Sequence, residues 1–190
     1  NDKYLRETLF GAAHPLHSGR AGLPDSADRL DTSLPGFGPF GTAGQHCFNP
    51  LSPAYKRIQH LAKTRSKFPA LRFGRQYLRP ISFLGKPFDI YAEGEIIAWS
   101  RILHDEEIII VLNPHGNQQR GADILLDASL NPNGSSMRII ANTEQAGTVN
   151  YSGVNKTGSI QTIKKNATNI HFIEIRDIGP SEVIVLVNKA

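Results

Sequence analysis

The stretch Ile97-Ala98-Trp99-Ser100-Arg101-Ile102-Leu103, followed by His104-Asp105-Glu106 and then Glu107-Ile108-Ile109-Ile110-Val111-Leu112-Asn113, sets the fold. Two short β-branched runs flank a polar turn, and the turn is too short for anything but an antiparallel hairpin. We read strands over 95–103 and 107–113, with Asp105-Glu106 as the turn. Working outward, further short runs rich in β-branched residues lie at 76–81, 88–91, 124–127, 137–142, 159–164, 169–175 and 182–187. They are separated by turn chemistry such as Pro114-His115-Gly116-Asn117, Asn131-Pro132-Asn133-Gly134 and Ile178-Gly179-Pro180. No helical pattern falls between them, so parallel crossovers are unavailable. The expectation is a mainly β protein, an antiparallel Greek-key β-sandwich over 71–190.

Residues 1–70 read differently. Residues 11–53 are dense in glycine and proline, from Pro15 to Pro53, which forbids long helices or strands. Phe37, Phe40 and Phe48 argue against a plain disordered tract and read as anchors for another surface. One amphipathic helix follows. Ser52 suits an N-cap and Pro53 the first helical position. Tyr55, Ile58, Leu61, Ala62 and Phe68 fall near one face, and Lys63, Arg65 and Lys67 crowd the end before Pro69 stops it. The domain division expected is thus a loop-rich arm with one helix over 1–70 and the sandwich over 71–190.

Composition narrows the function. With 39% hydrophobic and 20% charged residues among 190, the chain can bury one sizeable core. Its longest apolar run, Ile108 to Leu112, is strand-sized, so no membrane helix is expected. Asn1 to Glu7 lacks the apolar stretch of a leader peptide, and the compartment stays open. Between residues 32 and 88 there is no Asp or Glu against nine Lys and Arg. That block could contact nucleic acid, but no RNA-stacking module is interleaved with it. A helix with its cations toward the favourable end of its dipole is the preferred reading. Neither nucleic acid nor membrane is expected as a partner.

Candidates for chemistry are few. The acids Asp105, Glu106, Glu107, Asp127, Asp177 and Glu182 sit in turns or at strand ends, and the 105–107 cluster reads as a solvated hairpin tip. His14 and His17 are a close pair without a third metal ligand. His171 reads as an outward-facing strand residue. Cys47 beside His46 reads as an inert thiol, and a lone cysteine forms no internal disulfide. The sequons at Asn133, Asn155 and Asn166 read as chance triplets. No glycine-rich phosphate cradle occurs. We therefore assign no catalytic, cofactor-binding or metal residue and expect no cofactor. Trp99 reads as a core residue rather than a sugar platform. A carbohydrate-binding module using Trp99, Tyr77, Tyr91 or Tyr151 is the competing function.

Several segments resemble one family. Tyr4-Leu5-Arg6-Glu7-Thr8-Leu9-Phe10-Gly11 resembles the segment after the last barrel strand of α-amylase-type enzymes, glycoside hydrolase family 13. Gly36-Phe37-Gly38-Pro39-Phe40-Gly41-Thr42 and His46-Cys47-Phe48-Asn49-Pro50 resemble the loop into the last barrel helix. Ser52-Pro53-Ala54-Tyr55-Lys56-Arg57-Ile58, with Phe68-Pro69-Ala70-Leu71-Arg72-Phe73-Gly74, resembles that helix and its exit. The 97–113 hairpin resembles the centre of the family's C-terminal β-domain, domain C. The resemblance implies a barrel enzyme that hydrolyses or transfers α-glucosidic bonds. Its three carboxylates lie on strands that precede this chain, so no catalytic residue carries over and the chain alone is expected to be inactive. It implies the catalytic barrel as partner, with α-glucan reached only through the parent. Without a barrel, Tyr55, Ile58, Leu61 and Phe68 need another surface. Either the arm folds back on the sandwich or two copies pair as a homodimer, and pairing is the expectation.

Overall fold

The computed structural model describes residues 53–91, 95–147 and 150–188. The chain divides into two compact units, Asn1–Gln59 and His60–Ala190. In chain order the elements are α1 (Pro53–Lys67), α2 (Ala70–Phe73), β1 (Arg75–Arg79), β2 (Ile81–Ser82), β3 (Ile97–Leu103), β4 (Glu106–Leu112), β5 (Arg120–Leu125), β6 (Ser136–Asn142), α3 (Thr143–Gly147), β7 (Ile160–Thr162), β8 (Lys164–Lys165), β9 (His171–Ile178) and β10 (Val183–Val187). Among the described residues all strand pairs are antiparallel. They form a six-stranded sheet, β1-β3-β4-β10-β6-β7, and a four-stranded sheet, β2-β5-β9-β8.

The sandwich turns its corners by passing a strand from one sheet to the other. Residues 76–81, read as one strand, are two: β1 belongs to the six-stranded sheet and β2 to the four-stranded one. Pro80 sits between them and has no N–H to continue a ladder. The 159–164 run divides in the same way into β7 and β8, about the buried Ile163. Residues 88–91 make a single bridge, Ile81 to Asp89, instead of a strand. The β3–β4 hairpin pairs Leu103 with Glu106. Its turn is therefore His104-Asp105, one residue earlier than the acids suggest, and His104 takes φ +54°, the left-handed conformation such tight loops demand.

The main core lies between the sheets. Ile109, Val111, Met137, Ile139, Ile184 and Leu186 face Ile81, Ala122, Ile124, Ile173 and Ile175. A second cluster lies on the outer face of the six-stranded sheet, where Ile108, Ile110, Ala141, Val185 and Val187 are covered by Leu61, Phe68, Ala70 and Leu71. This explains why β4 reads as an unbroken apolar run: both of its faces are buried. Leu61 and Phe68, expected to lack a partner, thus pack on the sandwich, whereas Ile58 is 52% exposed. The α2 turn ends at Gly74, whose N–H bonds the Ala70 carbonyl at 2.9 Å. A Cβ at Gly74 would lie 2.6 Å from that oxygen and 2.9 Å from the Ile102 backbone, so only glycine fits.

Candidate functional site

Tracing the carboxylates shows what they can do. Glu107 is not at a solvated tip. With the turn one residue earlier, it is the second residue of β4, shares the inward face with Ile109 and Val111, and is fully buried. Its Oε1 accepts from Arg79 Nη2 and from Ser100 Oγ, both at 2.5 Å. Its Oε2 accepts from the Asp127 N–H at 3.2 Å and from Asn131 Nδ2. Glu182, also buried, accepts from Asn142 Nδ2 at 2.6 Å, Tyr151 OH at 3.1 Å and the Gly179 N–H at 2.5 Å. Charged groups can be buried on such terms, with each oxygen engaged.

The two sit at opposite ends of β4, because the Asn113 N–H bonds the Glu182 carbonyl. At roughly 3.4 Å per strand residue they are about 20 Å apart, far beyond the roughly 5–9.5 Å of a glycosidase pair. Asp127 is spoken for as well. Its Oδ1 accepts from Ser129 Oγ at 2.6 Å and Ser129 N at 3.0 Å. The Ser129 hydroxyl bond, helped by the Arg79 charge, holds its carboxyl below the usual range despite partial burial.

The Tyr151 phenol is pushed up to about 12, first by burial and then by the Glu182 charge beside it. A raised acid pKa favours the protonated folded form. This contribution to stability is complete below the unfolded value near 10 and is lost as pH rises toward 12. We expect the melting temperature to fall across that window, and Tyr151→Phe to flatten that part of the profile. An unchanged alkaline limb in the variant would count against the coupling.

The four aromatic candidates do not form a platform. Trp99 is half-buried on the outer face, packed with the second cluster rather than in the main core. Tyr91 packs edge-on against Phe83 at 4.9 Å and donates its hydroxyl to the Pro87 carbonyl. Tyr151 is held by Glu182. Tyr77 is 43% exposed under the Arg79 guanidinium and lines a cleft of about 310 Å³ with His104, Asp127 and Ser129. His171, read as outward-facing, shares the inward face with Ile173 and Ile175, and its Nδ1 is 2.8 Å from the Asn131 carbonyl. Asn155 is buried and donates to the Arg176 carbonyl, so its sequon is closed in the folded chain. His14, His17, His46, Cys47, the three loop phenylalanines and Ser52 lie outside the described residues.

A larger cleft of about 520 Å³ opens at the end of the four-stranded sheet, lined by Ser82, Leu84, Glu95, Arg120, Asp123 and Asp177 among others. The sequence reading missed it, because a register shift builds it. Across β5 and β9, Arg120 pairs with Ile178 but Ala122 with Ile175. Gly121 therefore faces both Arg176 and Asp177, and these two successive residues are both exposed. A Cβ on Gly121 would come within 3.1 Å of the Arg176 Cα. Among the described residues no group of three or more His, Cys, Asp or Glu is placed to hold a metal ion.

No family model and no curated protein matches the chain. Solved structures do. The cyclomaltodextrin glucanotransferase CldA, with a three-domain ABC distribution, is 15% identical with a TM-score of 0.46, over 80% of this chain and 25% of that one. AmyP, solved with maltose, is 14% identical with a TM-score of 0.44, over 72% and 20%. The trehalose-6-phosphate hydrolase of Bacillus licheniformis is 15% identical with a TM-score of 0.40, over 88% and 23%. The chain spans a quarter or less of the length of each. The solved structures similar to this chain are enzymes of the α-amylase family.

Proposed function

We propose that the chain is the non-catalytic C-terminal β-domain, with its lead-in helix, of an α-amylase-like enzyme that hydrolyses or transfers α-glucosidic bonds. Its role is to brace the catalytic barrel of that enzyme. The observation that carries this reading is the joint between the helical lead-in and the sandwich. Leu61, Phe68, Ala70 and Leu71 close the outer face of the six-stranded sheet. Arg101 on β3 donates to the Arg72 carbonyl at 3.2 Å and the Ala70 carbonyl at 3.5 Å, clamping the α2 turn to the sheet. A brace needs such a stiff joint between the segment it continues and the body it adds. The buried carboxylates support the same reading, since Glu107 and Glu182 spend their oxygens on structural donors.

The purified 190-residue chain is accordingly expected to release no sugar from starch, maltodextrins or aryl α-glucosides. Turnover that disappears on changing one Asp or Glu of this chain would overturn the proposal.

A further inference from the structure

We infer that the free edge of β1 is a docking strand for an extended acidic segment of a partner polypeptide, taken up as an added strand of the six-stranded sheet. This goes beyond the bracing role and does not depend on it. β1 ends that sheet, and β3 is its one sheet neighbour. Of the four edge strands among the described residues it is the longest, with five residues against three in β7 and two each in β2 and β8. Shortness protects the other edges from pairing with a foreign chain. Arg75, Gln76, Tyr77 and Leu78 are all exposed, Leu78 by 55%, so the long edge lies open.

Charge and pleat choose the occupant. The dipole of α1 accounts for Arg65 and Lys67 in its last turn, but Arg72 and Arg75 lie beyond that helix. Among the described residues neither forms an ion pair. The Arg72 guanidinium stands 4.9 Å over the ring of Phe73, itself 68% exposed. Carboxylates on an incoming chain complete both arginines with charge-assisted hydrogen bonds. Arg75 and Tyr77 share one face of β1, opposite Ile102 and Ser100; Gln76 and Leu78 share the other, with Leu78 directly beside Trp99. An added strand therefore sets acidic side chains beside Arg75 and apolar ones beside Leu78, so the two kinds alternate along it. Main-chain bonds to the edge supply affinity, and the alternate side chains supply specificity. A second copy of Arg75-Gln76-Tyr77-Leu78-Arg79 brings more cations and no carboxylate. A nucleic acid would use the cations but leave the N–H and C=O groups of the edge unmet.

The test is amide chemical-shift mapping on the full chain with four probes titrated separately. They are the peptide Gly-Glu-Val-Glu-Val-Glu-Gly, its counterpart with lysine for glutamate, the glutamate peptide N-methylated along its backbone, and oligouridylate. The glutamate peptide should shift the amides of residues 75–79 and slow their exchange with solvent, and the other three should leave them in place. Arg75→Glu should weaken the glutamate peptide at least about tenfold, the loss of a hydrogen bond to a charged group. It should also let the lysine peptide bind, a gain that a misfolded variant cannot show. Arg72→Glu should act in the same direction, and Lys164→Glu, on the other sheet, should leave binding unchanged. Silence with the glutamate peptide, equal binding of the lysine or N-methylated peptide, or the same shifts with oligouridylate would overturn the inference. So would shifts at 75–79 that follow protein concentration alone, the mark of self-pairing. A silent edge would leave the bracing role standing, and glycosidase turnover by the chain would overturn that role without touching the edge.

Discussion

Replacing Glu107 with alanine is expected to destabilise the chain by about 3–5 kcal/mol, the usual cost of breaking a buried ion pair from one side. The reason lies in what stays behind. The Arg79 side chain is only 11% exposed, and without Glu107 its guanidinium loses its ion-pair partner. Ser100 Oγ and the Asp127 N–H lose their acceptor in the same step, and Asn131 Nδ2 loses one of its two. The network also joins strands: Arg79 is on β1, Ser100 on β3, Glu107 on β4, and Asn131 follows β5. Because the large term is the charge left without its ion-pair partner, changing both Glu107 and Arg79 to methionine should cost less than the sum of the single changes. Urea unfolding of the two single variants and the double variant measures this. A Glu107→Ala cost below about 1 kcal/mol is what a solvent-screened pair gives, and it would mean that water reaches the network.

The same residue shows where sequence reading stops. The strands around residue 105 were legible from β-branched runs, and the helix from Pro53 to Lys67 from its breaker, its periodicity and its closing cations. The turn was placed one residue late because Asp105-Glu106 carries the polar signal, while the left-handed residue is His104. Read with its acidic neighbours, Glu107 counts as part of a solvated tip, whereas it belongs to β4 on the face of Ile109 and Val111 and is buried. His171 is misread because its run is phased on its neighbours Ile170 and Phe172 rather than on Ile173 and Ile175. Pro80 was visible as a breaker, but its effect, handing the chain from one sheet to the other, depends on pairings between residues far apart. The Arg120 cleft left no local pattern at all. It arises from one extra residue in β9 relative to β5, a relation between strands about 50 residues apart in sequence.

Ile110→Ala is expected to cost about 2–5 kcal/mol, close to the cost of Ile109→Ala on the opposite face of β4. The two side chains test different halves of the architecture. Ile109 is fully buried in the main core between the sheets. Ile110 is 7% exposed in the outer cluster, beside Trp99 on β3 and Val185 on β10. In a sandwich with one solvated outer face, Ile110 would be half in water and its truncation would cost a fraction of the inner one. Equal costs require that the α1 end and the α2 turn hold Leu61, Phe68 and Leu71 on the outer face in solution. Leu71→Ala should then lower the cost of Ile110→Ala, because residues in contact do not contribute additively. This joint is also the observation on which the bracing role rests. Equilibrium unfolding of Ile109→Ala, Ile110→Ala, Leu71→Ala and the Ile110–Leu71 double variant decides the matter. If Ile110→Ala costs below about 1 kcal/mol while Ile109→Ala costs its full share, the lead-in is not seated on the sheet, and the chain carries its helix without being stiffened by it.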